Sequence, residues 1–117
     1  MKRILVVDDN AVNRKLALAL LKKRGWQGEE VDGGEAALER LAGGGFDGVL
    51  LDINMPGMDG EEVCRRIRAN CTLSALRVVA YTAHAMESEM ERFMGTGFDA
   101  ILIKPVTIQS LQTALPD

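Results

Sequence analysis

A few charged and hydroxyl residues that follow short apolar runs carry the chemistry this sequence could perform. Asp8 and Asp9 follow the run 4–7, Asp52 follows 49–51, Thr82 follows 78–81 and Lys104 follows 100–103. Carboxylates held close together repel and raise one another's pKa values unless a cation compensates. Magnesium suits such a group, since it takes oxygen ligands in octahedral geometry, commonly one or two carboxylates with retained waters and a phosphate oxygen. A threonine hydroxyl can donate to a phosphoryl oxygen, and a lysine ammonium binds phosphate as a compact charge. A metal, a carboxylate nucleophile and two oxyanion stabilisers are what in-line phosphoryl transfer to an aspartate requires. Each residue alone has a plainer reading. Asp9 or Asn10 could cap a helix beginning near Ala11, a strand-end threonine often only turns the chain, and a lone lysine is usually solvated.

The joint reading needs elements that bring these positions together. Five short apolar runs (4–7, a weak one around Val31, 49–51, 78–81 and 100–103) alternate with segments of helical period. That alternation is the signature of βα units building a parallel sheet covered on both faces, so the class is α/β. The second strand carries Gly28 and Glu30 where a buried strand would be apolar, which places it at an edge. Five βα units with the second strand outermost suggest the order 2-1-3-4-5, with ligands at the carboxyl ends of strands 1 and 3, where the winding reverses. Asp8, Asp9 and Asp52 fall at that crevice.

The helices are expected to turn particular residues inward. These are Val12, Leu16, Ala19 and Leu20 in the first, Ala37, Leu38 and Leu41 in the second, and Val63, Cys64 and Ile67 in the third. The fourth places Met86, Met90, Phe93 and Met94 on one stripe, and the fifth Ile108, Leu111 and Leu115. The methionine stripe reads most simply as core, although methionine also suits adaptable docking surfaces and so admits weak homodimerisation through this face. Tyr81 reads as core.

At 117 residues the chain fits one domain, spanning 1–117, and its 47% hydrophobic and 26% charged composition suits a globular protein with one core. A net charge of −3 offers little to a nucleic-acid partner. No apolar stretch is long enough to span a bilayer, and the short apolar run after Met1 does not resemble a signal peptide, so the expected location is the cytoplasm without a membrane partner. Cys64 and Cys71 lack zinc spacing and read as ordinary thiols. The single histidine, His84, cannot by itself build a metal site or an activated triad.

The runs ILVVDDN, LLDINMPGMDG, VVAYTAHAM and ILIKPV, at these separations, resemble the receiver domain of two-component response regulators from end to end. DDNAVNRKLALALLKKRG and TAHAM are similar in particular to receivers of hybrid sensor histidine kinases. The resemblance implies a flavodoxin-like fold and a phosphoacceptor switch that assists its own phosphorylation and dephosphorylation. Asp52 would take a phosphoryl group from a phosphohistidine on a histidine kinase or histidine phosphotransfer protein. It further implies Mg²⁺ bound by Asp9, Asp52 and the backbone carbonyl of Asn54, with Asp8 reaching it through water. Thr82 and Lys104 would hold phosphoryl oxygens, and the Lys104–Pro105 bond would be cis. Met55, Pro56 and Gly57 would shape the following loop, while Asn54 and His84 match positions that tune dephosphorylation. One departure stands out: Ile101 occupies the place, three residues before the lysine, where receivers commonly carry Tyr or Phe. Isoleucine cannot swing a polar-tipped ring between two environments, which puts the usual coupling to the output surface in question.

Two other functions fit less well. An aspartate-nucleophile phosphatase would need an acid two positions after the nucleophile, where this chain has Asn54. A flavin carrier needs a neutral phosphate loop after the first strand, where this chain has Asp8 and Asp9. The downstream effector cannot be read from the sequence.

Overall fold

The computed structural model describes residues 2–83 and 85–116. Strands and helices alternate throughout: β1 (Arg3–Val7), α1 (Ala11–Lys23), β2 (Gln27–Val31), α2 (Gly34–Ala42), β3 (Gly48–Asp52), α3 (Gly60–Ala69), β4 (Arg77–Thr82), α4 (Glu87–Thr96), β5 (Ala100–Ile103) and α5 (Ile108–Ala114). All four strand pairings are parallel, in the order β2-β1-β3-β4-β5. The central strand β3 is buried along its whole length, as a strand covered on both faces must be.

Side chains alternate across the sheet and so feed two separate cores. Leu5, Val7, Val49, Leu51, Val78 and Ala80 face α2, α3 and α4, whereas Ile4, Val6, Leu50, Val79, Tyr81 and Leu102 face α1 and α5. Tyr81 is fully buried, in keeping with its reading as core.

The edge strand β2 shows why an apolar sequence is unnecessary there. A Cβ at Gly28 would stand 2.6 Å from a terminal methyl of Leu18, so the missing side chain lets α1 settle on the strand. Glu29 pairs with Arg3 and Arg40, and Glu30 with Arg14, which fills the edge with charge.

Three helical faces differ from the expected ones. In α1 the buried residues are Ala17 and Leu21, supported by Leu18 and Leu20, while Val12, Leu16 and Ala19 are exposed. Apolar residues fall on more than one face of this helix, so two overlapping stripes compete, and the contacts at its start accompany the observed rotation. Asn10 accepts from the Val12 and Asn13 backbone N–H groups, and the Arg14 guanidinium binds the Asp8 carbonyl and Glu30. In α4 only Phe93 is buried, edge-on to Phe98 at 6.1 Å; Met86, Met90 and Met94 are exposed, so of the expected stripe only Phe93 is core. The helix meets the core along a single line, and its Arg92 reaches over to Glu61 of α3. In α5 Ile108 is exposed at the first turn, and Leu111 and Ala114 face inward with Leu115 just beyond the helix. The expected faces of α2 and α3 agree with the structure, except that Leu38 is only partly buried.

Both cysteines are free; burial pushes the Cys64 thiol up to about 11, whereas Cys71 is exposed. Among the described residues, no helix is long and apolar enough to cross a membrane.

Candidate functional site

Each candidate side chain stands where a strand gives way to a loop at one end of the sheet. In β1 and β3 the partners run from Ile4 beside Gly48 to Val7 beside Leu51, so Asp8 and Asp52 continue the adjacent pair. Asp52 in turn pairs with Tyr81 and Thr82 with Ile103, which brings Thr82 and Lys104 to the same end. The Lys104 backbone N–H donates to the Thr82 carbonyl at 2.7 Å, and the Lys104–Pro105 peptide is cis.

Asp8, Asp9 and Asp52 each offer a carboxylate oxygen within 4.8 Å of the others. Asp8 is fully buried and Asp52 is 4% exposed, while Asp9 faces solvent. The helix-capping alternative falls to Asn10, which leaves all three acids available to the cluster. The Asp8 carboxylate accepts from the Asn10 N–H at 2.9 Å, and Asp52 accepts from the Asn54 N–H at 3.1 Å. Lys104 Nζ lies 3.0 Å from Asp8 Oδ2 and 3.4 Å from Asp52 Oδ1, between the two. Asp8 Oδ2 is nevertheless buried without an aligned hydrogen bond.

The two buried acids respond oppositely to shared surroundings. Burial pushes Asp52 up, the charge of Asp8 pushes it further, and the Lys104 charge only partly offsets them, so its pKa stands at about 6. Burial acts on Asp8 too, but the Asn10 N–H and Lys104 outweigh it and hold that carboxyl below its ordinary value. Three clustered acids, with one lysine between two of them, form a site short of positive charge. Its donors are all oxygen, which suits a hard divalent cation such as Mg²⁺.

Thr82 is buried at the end of β4. Asn54 is exposed in the loop after Asp52. His84, a candidate for tuning the site, lies outside the described residues. Ile101 is partly buried and packs on the α2, α3 and α4 side of the sheet.

Two supporting residues escaped the sequence reading. Arg14 of α1 holds the β1–α1 loop through the Asp8 carbonyl at 2.8 Å, a contact that depends on how the side chain folds back over the loop. Gly60 opens α3, and a Cβ there would stand 2.2 Å from the Asp52 carbonyl oxygen. Its signal was present in the run MPGMDG, where a second glycine follows the helix cap Asp59.

The chain matches the response regulator receiver domain over residues 4–116. It belongs to that family. The receiver is 41% identical over 112 residues to the sensor protein GacS of Pseudomonas syringae pv. syringae, a match covering 93% of this chain and 12% of that protein. It therefore spans about an eighth of the length of that relative. Its fold is similar to that of the Vibrio cholerae chemotaxis protein CheY4, with a TM-score of 0.91 at 25% identity, covering 98% of this chain and 96% of the other. The receiver domain of the sensor histidine kinase PA1611 from Pseudomonas aeruginosa PAO1 is 30% identical with a TM-score of 0.86, over 96% of this chain and 92% of that one. That structure holds a magnesium ion in its active-site cleft.

Proposed function

We propose that residues 1–117 act as one receiver domain, in which Asp52 accepts a phosphoryl group from a phosphohistidine on a histidine kinase or histidine phosphotransfer protein. Asp8, Asp9, Asp52 and the Asn54 carbonyl are the residues that would hold Mg²⁺. The observation that carries this reading is the juxtaposition of Asp52, nearly buried and raised to about 6, with Lys104 at 3.4 Å and two further acids. The Mg²⁺ seen in the receiver of PA1611 supports the same metal here.

The transfer breaks the donor's N–P bond, forms an O–P bond to Asp52, and leaves the imidazole as the departing group. With its pKa at about 6, Asp52 is largely ionised at neutral pH, and a raised pKa makes it a better nucleophile than an ordinary carboxylate. The Lys104 ammonium then holds one oxygen of the transferred group, and the Thr82 hydroxyl donates to another. When bound, Mg²⁺ supplies charge that neutralises the phosphoryl oxygens and the clustered acids. Asn54 presents an amide two positions after Asp52, where a phosphatase would need an acid, so the phosphorylated form serves as a switch. The exposed Met86, Met90 and Met94 offer a face for weak self-association.

Incubation with acetyl phosphate and Mg²⁺ should add a single phosphoryl group by intact-mass spectrometry, and Asp52→Asn should abolish the addition. Undiminished labelling of that variant would overturn the assignment.

A further inference from the structure

We propose that Tyr81 is a positioning residue for Lys104, its ring providing the surface on which the ammonium rests between Asp8 and Asp52. Lys104 Nζ lies 4.8 Å from the Tyr81 ring centroid, within the range in which a cation is drawn to the electron-rich face of an aromatic ring. The same nitrogen stands 3.0 Å from Asp8 and 3.4 Å from Asp52, so ring and carboxylates together define its place.

Both partners are well suited to this contact. The Tyr81 ring is fully buried and therefore held still by the α1 and α5 side of the core, among Val79, Leu50 and Leu102. The Lys104 side chain is only 16% exposed, so water competes weakly for the ammonium.

An aliphatic side chain in place of Tyr81 would fill the core but leave the ammonium without an aromatic face. Lysine is a flexible cation on a long stem, and without that face Asp8 could draw it away from the phosphoryl position.

This role rests on Asp52 being the phosphoacceptor, and the test separates the two ideas. The side-chain methylene protons of Lys104 next to the ammonium should show an upfield ring-current shift by NMR, kept in Tyr81→Phe and lost in Tyr81→Leu. With Mg²⁺ present, fluoroberyllate, a phosphoryl analogue, should bind Tyr81→Leu about three- to thirtyfold more weakly than wild type, with Tyr81→Phe close to wild type. The loss should disappear in a Lys104→Ala background, because a residue acting through the lysine has nothing left to position. Should Tyr81→Leu not melt cooperatively, Tyr81→Met takes its place in every comparison. An unshifted Lys104, full affinity in the aliphatic variant, or a penalty that persists without Lys104 would each overturn the role. Failure of wild type to bind the analogue would bring down the phosphoacceptor reading and this role with it, even where the ring-current shift shows the contact itself.

Discussion

Asp52 and Asp8 share one buried corner, yet their protons should leave in well-separated ranges of pH. Asp52 is raised from 3.8 to about 6, so between those values the folded chain holds a proton that the unfolded chain has released. Its contribution to stability therefore falls as pH rises through that window. Asp8 is lowered, so its contribution is present above the ordinary carboxylate value and is lost as pH falls through its own folded pKa. In metal-free protein, carboxyl-carbon NMR should find Asp52 titrating near 6, and Asp8→Asn should move it toward 3.8 by removing the neighbouring charge. A wild-type midpoint near 3.8, or no response to Asp8→Asn, would refute this account. Saturating Mg²⁺ should displace the midpoint downward, since metal and proton compete for the same oxygens.

Among the elements, the start of α3 is the most tightly constrained against the site. The Gly60 N–H donates to the Ile53 carbonyl at 3.1 Å, and its Cα hydrogens are all that separate the helix from the Asp52 backbone. Gly60→Ala must push α3 or the end of β3 aside, because the atom it meets belongs to the backbone. Overpacking of this kind costs about 1–3 kcal/mol. Gly28→Ala on the edge strand meets the mobile end of Leu18 at a longer 2.6 Å and should cost less. Denaturant melts should therefore rank Gly60→Ala as the more destabilised, and Mg²⁺ titration should show weakened metal binding only in that variant. Equal stability of the two, or intact Mg²⁺ affinity in Gly60→Ala, would show that α3 does not hold Asp52 in place.

For the molecule as a whole, the acid cluster is a cost that the proposed Mg²⁺ would relieve. Its residues come from β3 and from the loop after β1, so the unfolded chain offers no equivalent site. Mg²⁺ at a hundred times its dissociation constant should then add about 2.7 kcal/mol of stability. The melting temperature should climb with Mg²⁺ in wild type and respond far less in Asp52→Asn; a wild-type melt indifferent to millimolar Mg²⁺ would contradict the metal assignment. The exposed methionines of α4, with Ile103 and Ile108 also exposed, should give weak, concentration-dependent self-association. Light scattering that finds only monomer across concentration, with and without fluoroberyllate, would remove that expectation.

Sheet order, the identity of the strand ends and the gathering of Asp8, Asp9, Asp52, Thr82 and Lys104 at one end were legible in the amino-acid sequence. Apolar runs, turn residues and the charged edge strand report local chemistry, and parallel winding leaves few ways to arrange them. Helix rotation was not legible in the same way. Val12 and Leu16 compete with Ala17 and Leu21 for the core, and the outcome is accompanied by Arg14 contacts to the Asp8 carbonyl and to Glu30 on the edge strand. The α4 stripe has helical period whichever side it faces, and only the packing of Phe93 on Phe98 shows that the methionines look outward. Tyr81 beneath Lys104 and Gly60 against Asp52 are likewise contacts across the fold. Period and residue type determine which elements form, whereas the choice among equally apolar faces depends on neighbours that only tertiary packing supplies.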